Sequence, residues 1–416
     1  MISGTVLHIP RRFTRAAWGG TERLLIETLR RQRAAGADSR IVTTTVMDAV
    51  RQEDIDGIPV ARHPSFYPQW PLSADKRAAA DRKGGNLVSW GVAHAVGEAK
   101  GLAMVHLHTG NRLGAQCLRA ARRRSVPCVI SLHGGHFSIP AAEQADLAAP
   151  RRGFTIEWGR ALSWWWGVRG LLEAVDAVIC VGREEYEAAR KKLPRQRVEF
   201  LPGGVDPVAF ARGDRGAGRT RFGLPTDFTG MAVLCLGRLD RQKDQLTLVA
   251  AWKRLGRADA ALILAGPETS PGYSAELMRA AEGGPGPLRL LGNVPPESVP
   301  DLLAAADVVV LPSRHEPFGL AVLEAWAAGR AVVAAAVGGP AWLLADGAGG
   351  LLFPVGDVPA LATALGGLLA DPARAAALGA AGRALATARF TWDHHVQALD
   401  AIYAAVGKTV GKTHGH

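Results

Sequence analysis

The chain has 416 residues, 48% of them hydrophobic, which is enough to bury two ordinary cores and predicts two domains. It contains no apolar run of about 18 residues and no signal-peptide pattern at its start, so neither a membrane-spanning helix nor secretion is expected. The formal net charge of +11 lies almost wholly in residues 1–210, with 30 Lys and Arg against 20 Asp and Glu. That asymmetry favours an anionic partner such as a phosphorylated substrate, anionic lipid or nucleic acid, although an arginine-rich surface without a partner stays open.

Four widely spaced cysteines form no C-x-x-C pair and mostly lie in apolar runs. This usage is typical of reduced core thiols, and we expect a cytoplasmic protein.

Short apolar runs alternate with alanine-rich helical stretches through residues 1–205. The runs, in chain order, are "TVLHI", "SRIVTTT", "MVHLH", "PCVISLHGG", "DAVICVG" and "VEFLPGG". Such alternation predicts an α/β domain with a parallel sheet and helices on both faces. No G-x-G-x-x-G follows the first run, which disfavours a hydride-transferring enzyme, and no nucleic-acid reader motif is present.

The second half repeats the pattern after a change of composition. Residues 206–230 are rich in Gly, Pro, Arg and Asp and are predicted to be an interdomain linker. A second doubly wound domain is expected over residues 231–390, followed by a helix at 391–406 that returns toward the first domain and a disordered tail at 407–416.

Two carboxylates stand in an otherwise small and apolar stretch, "SRHEPFGLAVLEAWAAG", residues 313–329. We predict that Glu316 lies at a strand-to-helix turn, that Pro317 occupies the first turn of the helix, and that Glu324 lies about 10 Å further along. Free amides at such a helix start bind a diphosphate, and the two glutamates could bracket it by accepting hydrogen bonds from sugar and ribose hydroxyls. The alternative is an acid that favours the helix dipole and an exposed helix glutamate.

Residues 288–357, from "LRLLGNVPPESV" to "GGLLFPVGD", resemble the C-terminal signature of retaining GT-B glycosyltransferases of family 4. The resemblance implies an α/β fold of GT-B type, with two Rossmann-like doubly wound domains facing a central cleft.

Several residues of the second domain take expected roles from this resemblance. The stretch "LCLGRLDRQKDQ" is similar to the family's strand followed by two cations, which implies that Arg238 and Lys243 hold the donor pyrophosphate. Relatives usually have Gly at Asp244. The resemblance also implies that Glu316 binds the donor sugar and Glu324 the ribose. The remaining expected donor contacts are Phe318, Gly319 and Leu320 at the helix start and Val294 near the base.

The first domain carries a weaker likeness. "WGGTE" is similar to the family's glycine pair, which implies that backbone at Gly20 approaches the donor. "CVISLHGG" matches the strand that ends in His-Gly, which implies that His133 contacts the donor sugar and the developing charge; a core histidine is the alternative. His108 and His136 are weaker candidates, more often structural. Gly203 stands where most relatives have Asn.

The resemblance implies retaining transfer of a hexosyl group from a nucleotide diphosphate sugar, with a UDP-sugar expected first and GDP-mannose second. The acceptor is expected to be a hydroxyl of a glycan, a lipid-linked molecule or a small molecule. Neither a metal nor a cofactor is expected. A sugar-nucleotide epimerase or a phosphorylase on the same fold is the alternative, and a metal-dependent GT-A enzyme would need the "DID" at Asp54 to Asp56.

Four tryptophans lie among arginines in residues 151–176. They favour a peripheral contact of the basic first domain with the inner membrane face, or an aromatic platform for a sugar. A helix that packs its tryptophans into the core is the third possibility.

Overall fold

The computed structural model describes residues 4–15, 19–137, 156–224 and 228–413. The chain divides into two compact units. Unit 1 comprises Met1–Pro202 with His395–His416, and unit 2 comprises Gly203–His394.

Unit 1 is built on a mostly parallel sheet. Its strands are β1 (Thr5–Ile9), β2 (Asp38–Thr44), β3 (Gln52–Ile55), β4 (Ile58–His63), β5 (Gln69–Trp70), β6 (Leu102–Leu107), β7 (Cys128–Leu132), β8 (Ile156–Glu157), β9 (Ala177–Cys180) and β10 (Val198–Phe200). Eight of them pair in the order β10-β9-β7-β6-β1-β2-β4-β3, and β5 pairs with β8 separately. Only β3 runs antiparallel within the eight-stranded sheet of the described residues.

The helices of unit 1 follow the strands, as a doubly wound domain requires. They are α1 (Gly20–Ala34), α2 (Ala74–Lys83), α3 (Trp90–Glu98), α4 (Asn111–Arg123), α5 (Arg160–Trp165), α6 (Leu171–Ala174) and α7 (Arg183–Lys192).

Unit 2 contains a six-stranded sheet in which every pair is parallel. Its strands are β11 (Ala232–Leu236), β12 (Ala261–Ala265), β13 (Leu288–Leu291), β14 (Val308–Leu311), β15 (Ala331–Ala335) and β16 (Gly350–Phe353). They pair in the order β13-β12-β11-β14-β15-β16. The chain winds one way from β11 and the other way from β14, so a crevice is expected where the carboxyl ends of these two strands adjoin.

The helices of unit 2 complete the second doubly wound domain. They are α8 (Pro207–Ala211), α9 (Arg215–Arg221), α10 (Gln245–Leu255), α11 (Tyr273–Ala281), α12 (Val299–Ala305), α13 (Leu320–Ala327), α14 (Gly338–Leu343), α15 (Val358–Ala370) and α16 (Pro372–Arg389).

The segment predicted as a linker, residues 206–230, differs from that expectation over its described residues 206–224, because these carry α8 and α9 and pack within unit 2. A Cβ on Gly213 or Gly218 would overlap the backbone of α12, so these glycines permit close packing rather than flexibility. Arg219 adds an ion pair to Asp307 at 3.3 Å.

The C-terminal helix, α17 (Trp392–Thr413), is longer than predicted, and residues 407–413 of the expected tail are helical. Residues 414–416 lie outside the described part of the chain. Buried side chains of α17, among them Leu399 and Tyr403, share a core with Val6, Met104 and Ile179 of the unit 1 sheet.

All four cysteines are buried and free, as predicted. Among the described residues, we find no helix with the length and apolar character needed to cross a bilayer.

The close packing of α16 against the turn between α13 and β15 can be tested at Gly379. It lies inside α16, and a Cβ there would overlap the carbonyl of Gly329. Gly379→Ala should therefore lower the free energy of unfolding by about 1 to 3 kcal/mol. Gly367→Ala is the matched control inside α15, where the nearest heavy atom is 4.0 Å away; it should raise stability by about 0.5 to 1 kcal/mol. Urea unfolding measures both, and equal effects would contradict the packing account.

Candidate active site

The carboxyl ends of β11 and β14 bring together two charges that lie far apart in the sequence. Lys243 lies in the loop between β11 and α10, and Glu316 follows β14. The Lys243 ammonium donates a hydrogen bond to the Glu316 carboxylate. A small pocket beside this pair is lined by Gly237, Ser313 and Gln245. The position is the topological switch point of the unit 2 sheet.

Arg238 follows β11 and keeps its guanidinium available. Its side chain is 45% exposed. Among the described residues it reaches Thr269 and Gln242 only at 3.5 Å and Asp240 at 4.0 Å. Its backbone is held instead, because Gln245 donates a hydrogen bond of 2.8 Å to its carbonyl. The arrangement fixes the main chain and leaves the cation free to bind an anion.

The helix at the predicted diphosphate site begins later than expected. Helix α13 starts at Leu320, so the placement of Pro317 in its first turn is wrong. Gly319 precedes the helix with φ +86°, a left-handed conformation that favours glycine. The amides at the start of α13 therefore belong to Leu320 and the next residue, and Phe318 lies in the turn before them.

Glu324 lies closer to this helix start than predicted. It is the fifth residue of α13, about 6 Å along the axis rather than about 10 Å. Its side chain is only 7% exposed, so the alternative of an exposed helix glutamate is wrong.

Two glycines that the sequence analysis did not select support the turn. Gly339 donates a backbone hydrogen bond of 2.9 Å to the carbonyl of Glu316. Cβ atoms on Gly338 and Gly339 would overlap the carbonyls of Glu316 and Phe318. The pair "GG" after a strand was the available signal.

Asp244 occupies a left-handed position, with φ +51°, a conformation that glycine adopts without strain. Its carboxylate is buried and pairs with Arg314 at 2.9 Å and with the Thr247 hydroxyl at 2.8 Å. The added negative charge is thus paired with a cation from the loop after β14.

In unit 1, His133 directly follows β7 and begins a glycine turn. Gly134 and Gly135 have φ of +84° and +105°. The turn is held by Glu185 of α7, whose buried carboxylate accepts hydrogen bonds from the amides of Gly134 at 2.8 Å and His136 at 2.9 Å. Sequence reasoning missed Glu185, because an acid in a first helical turn usually only favours the helix dipole.

His133 also ends a series of hydrogen-bonded imidazoles. His8 Nδ1 shares a hydrogen bond of 3.0 Å with His108 Nε2, and His108 Nδ1 shares one of 3.0 Å with His133 Nε2. His8 was not selected from the sequence because it lies within the apolar run of β1.

His106, next to this series, has both ring nitrogens in hydrogen bonds. Nδ1 meets the Tyr403 hydroxyl at 2.6 Å and Nε2 meets Ser131 Oγ at 2.7 Å. One ring nitrogen each of His8, His106 and His108 lie within 4.8 Å of one another, so this cluster has the donor set for a metal ion. Such an ion would have to replace hydrogen bonds at His106 and His108, whose ring nitrogens are all in use among the described residues.

The other expected contacts take ordinary positions. Gly20 is the exposed first residue of α1, and Val294 is half-buried in the loop after β13. At Gly203 a Cβ would lie 2.9 Å from Leu320 and 3.0 Å from Phe318, so a larger residue would press on the turn before α13.

The tryptophan segment is largely on the surface. Trp164 is 85% exposed, and Trp158 and Trp165 are also exposed. Arg119 lies over the Trp165 ring at 5.1 Å. Of the four tryptophans only Trp166 is buried, so the core-packing alternative is wrong for the other three.

Known proteins resemble the chain over most of its length. The signature described as "Glycosyl transferases group 1" matches residues 230–371, and that described as "Glycosyltransferase Family 4" matches residues 18–208. The D-inositol 3-phosphate glycosyltransferase 1 of Catenulispora acidiphila is 32% identical over 404 residues, 92% of this chain and 90% of that protein. The chain belongs to glycosyltransferase family 4. Its class, a glycosyltransferase, is thereby confirmed.

Other relatives of this family 4 glycosyltransferase differ in name. A D-inositol 3-phosphate glycosyltransferase of Xylanimonas cellulosilytica is 35% identical over 70% of this chain and 69% of its own length. An alpha-maltose-1-phosphate synthase of Mycolicibacterium smegmatis is 33% identical over 58% of this chain and 66% of its own.

Solved structures confirm the fold class, α/β of the GT-B type. The sucrose-phosphate synthase of Thermosynechococcus elongatus superposes with a TM-score of 0.72 at 23% identity, covering 98% of this chain and all of that one. HepE of Anabaena, in complex with UDP and glucose, gives a TM-score of 0.70 at 19% identity over 97% of this chain and all of that one.

The buried histidines predict how stability depends on pH. Burial lowers the pKa of His8 to about 3 and those of His133 and His395 to about 4, and it lowers the pKa values of His106 and His108 well below 6.5. As the pH falls from about 6.5 to 4, the unfolded chain therefore binds more protons than the folded one. The free energy of unfolding should fall by about 1.4 kcal/mol per pH unit for each such histidine.

His395 offers a matched test, since its Nδ1 meets the Pro202 carbonyl at 2.7 Å and an asparagine amide could replace that donor. His395→Asn should reduce the slope of the unfolding free energy against pH by the contribution of one histidine, about 1.4 kcal/mol per pH unit. His394→Asn, at an exposed position, should leave this slope unchanged. Urea unfolding at several pH values measures the slope, and identical slopes for both variants would contradict the account.

Proposed function

We propose that this glycosyltransferase transfers a hexosyl group, with retention, from a nucleotide diphosphate sugar to a hydroxyl of a small acceptor. The observation that carries the proposal is the meeting of Lys243, Glu316 and the start of α13 at the switch point of the unit 2 sheet. The exposed Arg238 supports it.

The pyrophosphate would bind where positive charge is concentrated. Arg238 and Lys243 supply two cations, and the first amides of α13 supply hydrogen-bond donors at the positive end of the helix dipole. These groups would neutralise the leaving diphosphate without a metal, so full activity in EDTA is expected. A UDP-sugar is the first proposed donor and GDP-mannose the second; the UDP bound to the fold neighbour HepE supports that order.

Glu316 would accept hydrogen bonds from hydroxyls of the donor sugar through the carboxylate that now binds Lys243. Glu324, buried one turn into α13, would do the same for the ribose. His133 would contact the sugar and the developing charge. The leaving phosphate itself would help remove the acceptor proton, so catalysis would consist of positioning and electrostatic stabilisation.

A phosphorylated acceptor fits the basic first half of the chain, with 30 Lys and Arg against 20 Asp and Glu in residues 1–210. The relatives named D-inositol 3-phosphate glycosyltransferases support an acceptor of this class. We therefore place a phosphorylated small molecule before a glycan or a lipid-linked acceptor.

Loss of either cation should impair catalysis. Arg238→Ala and Lys243→Ala should each lower kcat/KM by about 2 to 4 kcal/mol of transition-state stabilisation, as for removal of one oxyanion donor. Arg238 is the cleaner test, because Lys243→Ala also leaves Glu316 unpaired. Arg241→Ala is the control, since that exposed side chain pairs with Glu276 at 2.6 Å, and its kcat/KM should stay near wild type. Steady-state turnover of the donor measures kcat/KM for all three variants. Near-normal activity of Arg238→Ala would contradict its assignment to the donor pyrophosphate.

Product analysis separates the alternative activities. A retaining transferase gives a product with the donor's anomeric configuration and needs an acceptor hydroxyl. An epimerase would convert the nucleotide sugar alone, and a phosphorylase would consume inorganic phosphate.

The exposed tryptophans support a second, separable proposal, that unit 1 contacts an anionic membrane surface peripherally. Tryptophan favours the membrane interface, and arginines attract anionic headgroups. Trp164 and Arg169 are both exposed on the same short segment. Trp164→Ser combined with Arg169→Glu should reduce sedimentation with phosphatidylglycerol vesicles, whereas the exposed control Arg254→Glu should not. Absence of salt-sensitive binding by the wild-type protein would defeat the proposal.

A further inference from the structure

Three arginines of unit 2 meet one aspartate at the amino ends of β14 and β15, the edge of the sheet opposite to the candidate active site. Asp307 immediately precedes β14, and Arg330 immediately precedes β15. The first residues of these two strands, Val308 and Ala331, are partners in the parallel ladder. Asp307 and Arg330 therefore occupy neighbouring positions at this edge. The other two arginines come from α9.

The aspartate holds the two arginines of α9 and has no oxygen left over. Arg215 pairs with Asp307 Oδ1 at 2.8 Å, and Arg219 pairs with Oδ2 at 3.3 Å. The same Oδ2 accepts a hydrogen bond of 2.8 Å from the amide of Ala232 at the start of β11. The carboxylate thus ties α9 to two strands of the sheet.

Arg330 lacks a partner of this kind. The residue is half-buried, and its Nε atom is buried without a hydrogen-bond partner among the described residues. Burial lowers the pKa of Arg330, the charges of Arg215 and Arg219 lower it further, and Asp307 opposes them. Because a guanidinium stays charged in proteins, the group cannot respond by losing its proton. A partly buried cation without a partner destabilises the fold.

The group as a whole has more positive than negative charge. Three guanidiniums stand against one carboxylate, and the carbonyls of residues 304–306 at the end of α12 add only partial negative charge. Arg215 and Arg219 reach these carbonyls at 3.4 Å. The Arg215 side chain is also 41% exposed. The excess positive charge therefore lies on Arg330 and on the open side of Arg215.

We propose that the amino ends of β14 and β15 form a binding site for an oxyanion of the phosphate class, held by Arg330 and Arg215. The planar fork of a guanidinium matches two oxygens of a phosphate, so such an anion would supply acceptors to Arg330. It would also balance the excess positive charge. The site lies at the opposite edge of the sheet from Lys243 and Glu316, so the proposal does not depend on the proposed function.

The Nε–H signal of Arg330 in ¹H–¹⁵N spectra of the full-length protein reports on this site without activity. Arg330→Lys identifies the signal by its loss. Inorganic phosphate should shift the signal saturably, whereas sodium chloride at the same ionic strength should not. The shift should persist in Arg238→Ala, which weakens any binding of phosphate at the candidate active site. Absence of a saturable shift, or an equal shift with chloride, would overturn the proposal.

A second titration distinguishes a free anion from a phosphate group on a larger molecule. The exposed side of Arg215 leaves room for a substituent, so glycerol 3-phosphate should also shift the Arg330 signal saturably. A response to inorganic phosphate alone would still support the site and would assign the free anion as its ligand.

Urea unfolding tests the contribution of the Arg330 charge. Phosphate should stabilise Arg238→Ala by binding to the folded chain, and adding Arg330→Gln should raise the phosphate concentration needed for the same stabilisation about tenfold. Adding Arg254→Gln instead, at an exposed position of α10, should leave the response unchanged. The general stabilising effect of phosphate on folded proteins is common to all of these variants. Equal responses with and without Arg330→Gln would overturn the role of Arg330.

Discussion

The pairing of Lys243 with Glu316 depends on the strand order of the unit 2 sheet. Because β11 and β14 are neighbours from which the chain winds in opposite directions, their carboxyl ends adjoin without a helix above them. Two loops far apart in sequence therefore place an ammonium and a carboxylate in contact. Neighbouring residues fix the backbone on both sides of this pair. Gly319 and Gly339 hold the turn after Glu316, and Asp244 adopts a left-handed conformation in the loop of Lys243. Gln245 donates a hydrogen bond to the carbonyl of Arg238.

Much of this arrangement could be predicted from the sequence. The alternation of apolar runs with helical stretches predicted both parallel sheets. The stretch that carries Glu316 and Glu324 indicated that a helix starts between them. The exact start was wrong because Pro317 is also compatible with a turn before a helix, and only the left-handed Gly319 decides between them. The glycines of residues 206–230 indicated a linker, whereas their small size lets α9 pack closely on α12. Composition alone does not separate these uses of glycine.

Contacts between distant strands were beyond sequence reasoning. His8, His108 and His133 come from β1, the end of β6 and the end of β7, and a single histidine in an apolar run gives no sign of its partners. The same holds for Glu185, whose carboxylate stabilises the turn after His133 from the start of α7. In both cases a buried polar group has its hydrogen bonds supplied by another strand or helix, which local patterns do not encode.

The central claim is that the switch point of unit 2 binds a diphosphate. Isothermal titration calorimetry of UDP and UMP, with GDP and GMP as the second pair, tests it most directly in the wild-type protein and in Arg238→Ala. The account predicts that the diphosphate binds more tightly than the monophosphate, and that Arg238→Ala weakens the affinity for the diphosphate about tenfold, equal to about 1.4 kcal/mol, and the affinity for the monophosphate much less. Equal affinities of the wild-type protein for UDP and UMP, and for GDP and GMP, or an unchanged preference in the variant, would contradict it.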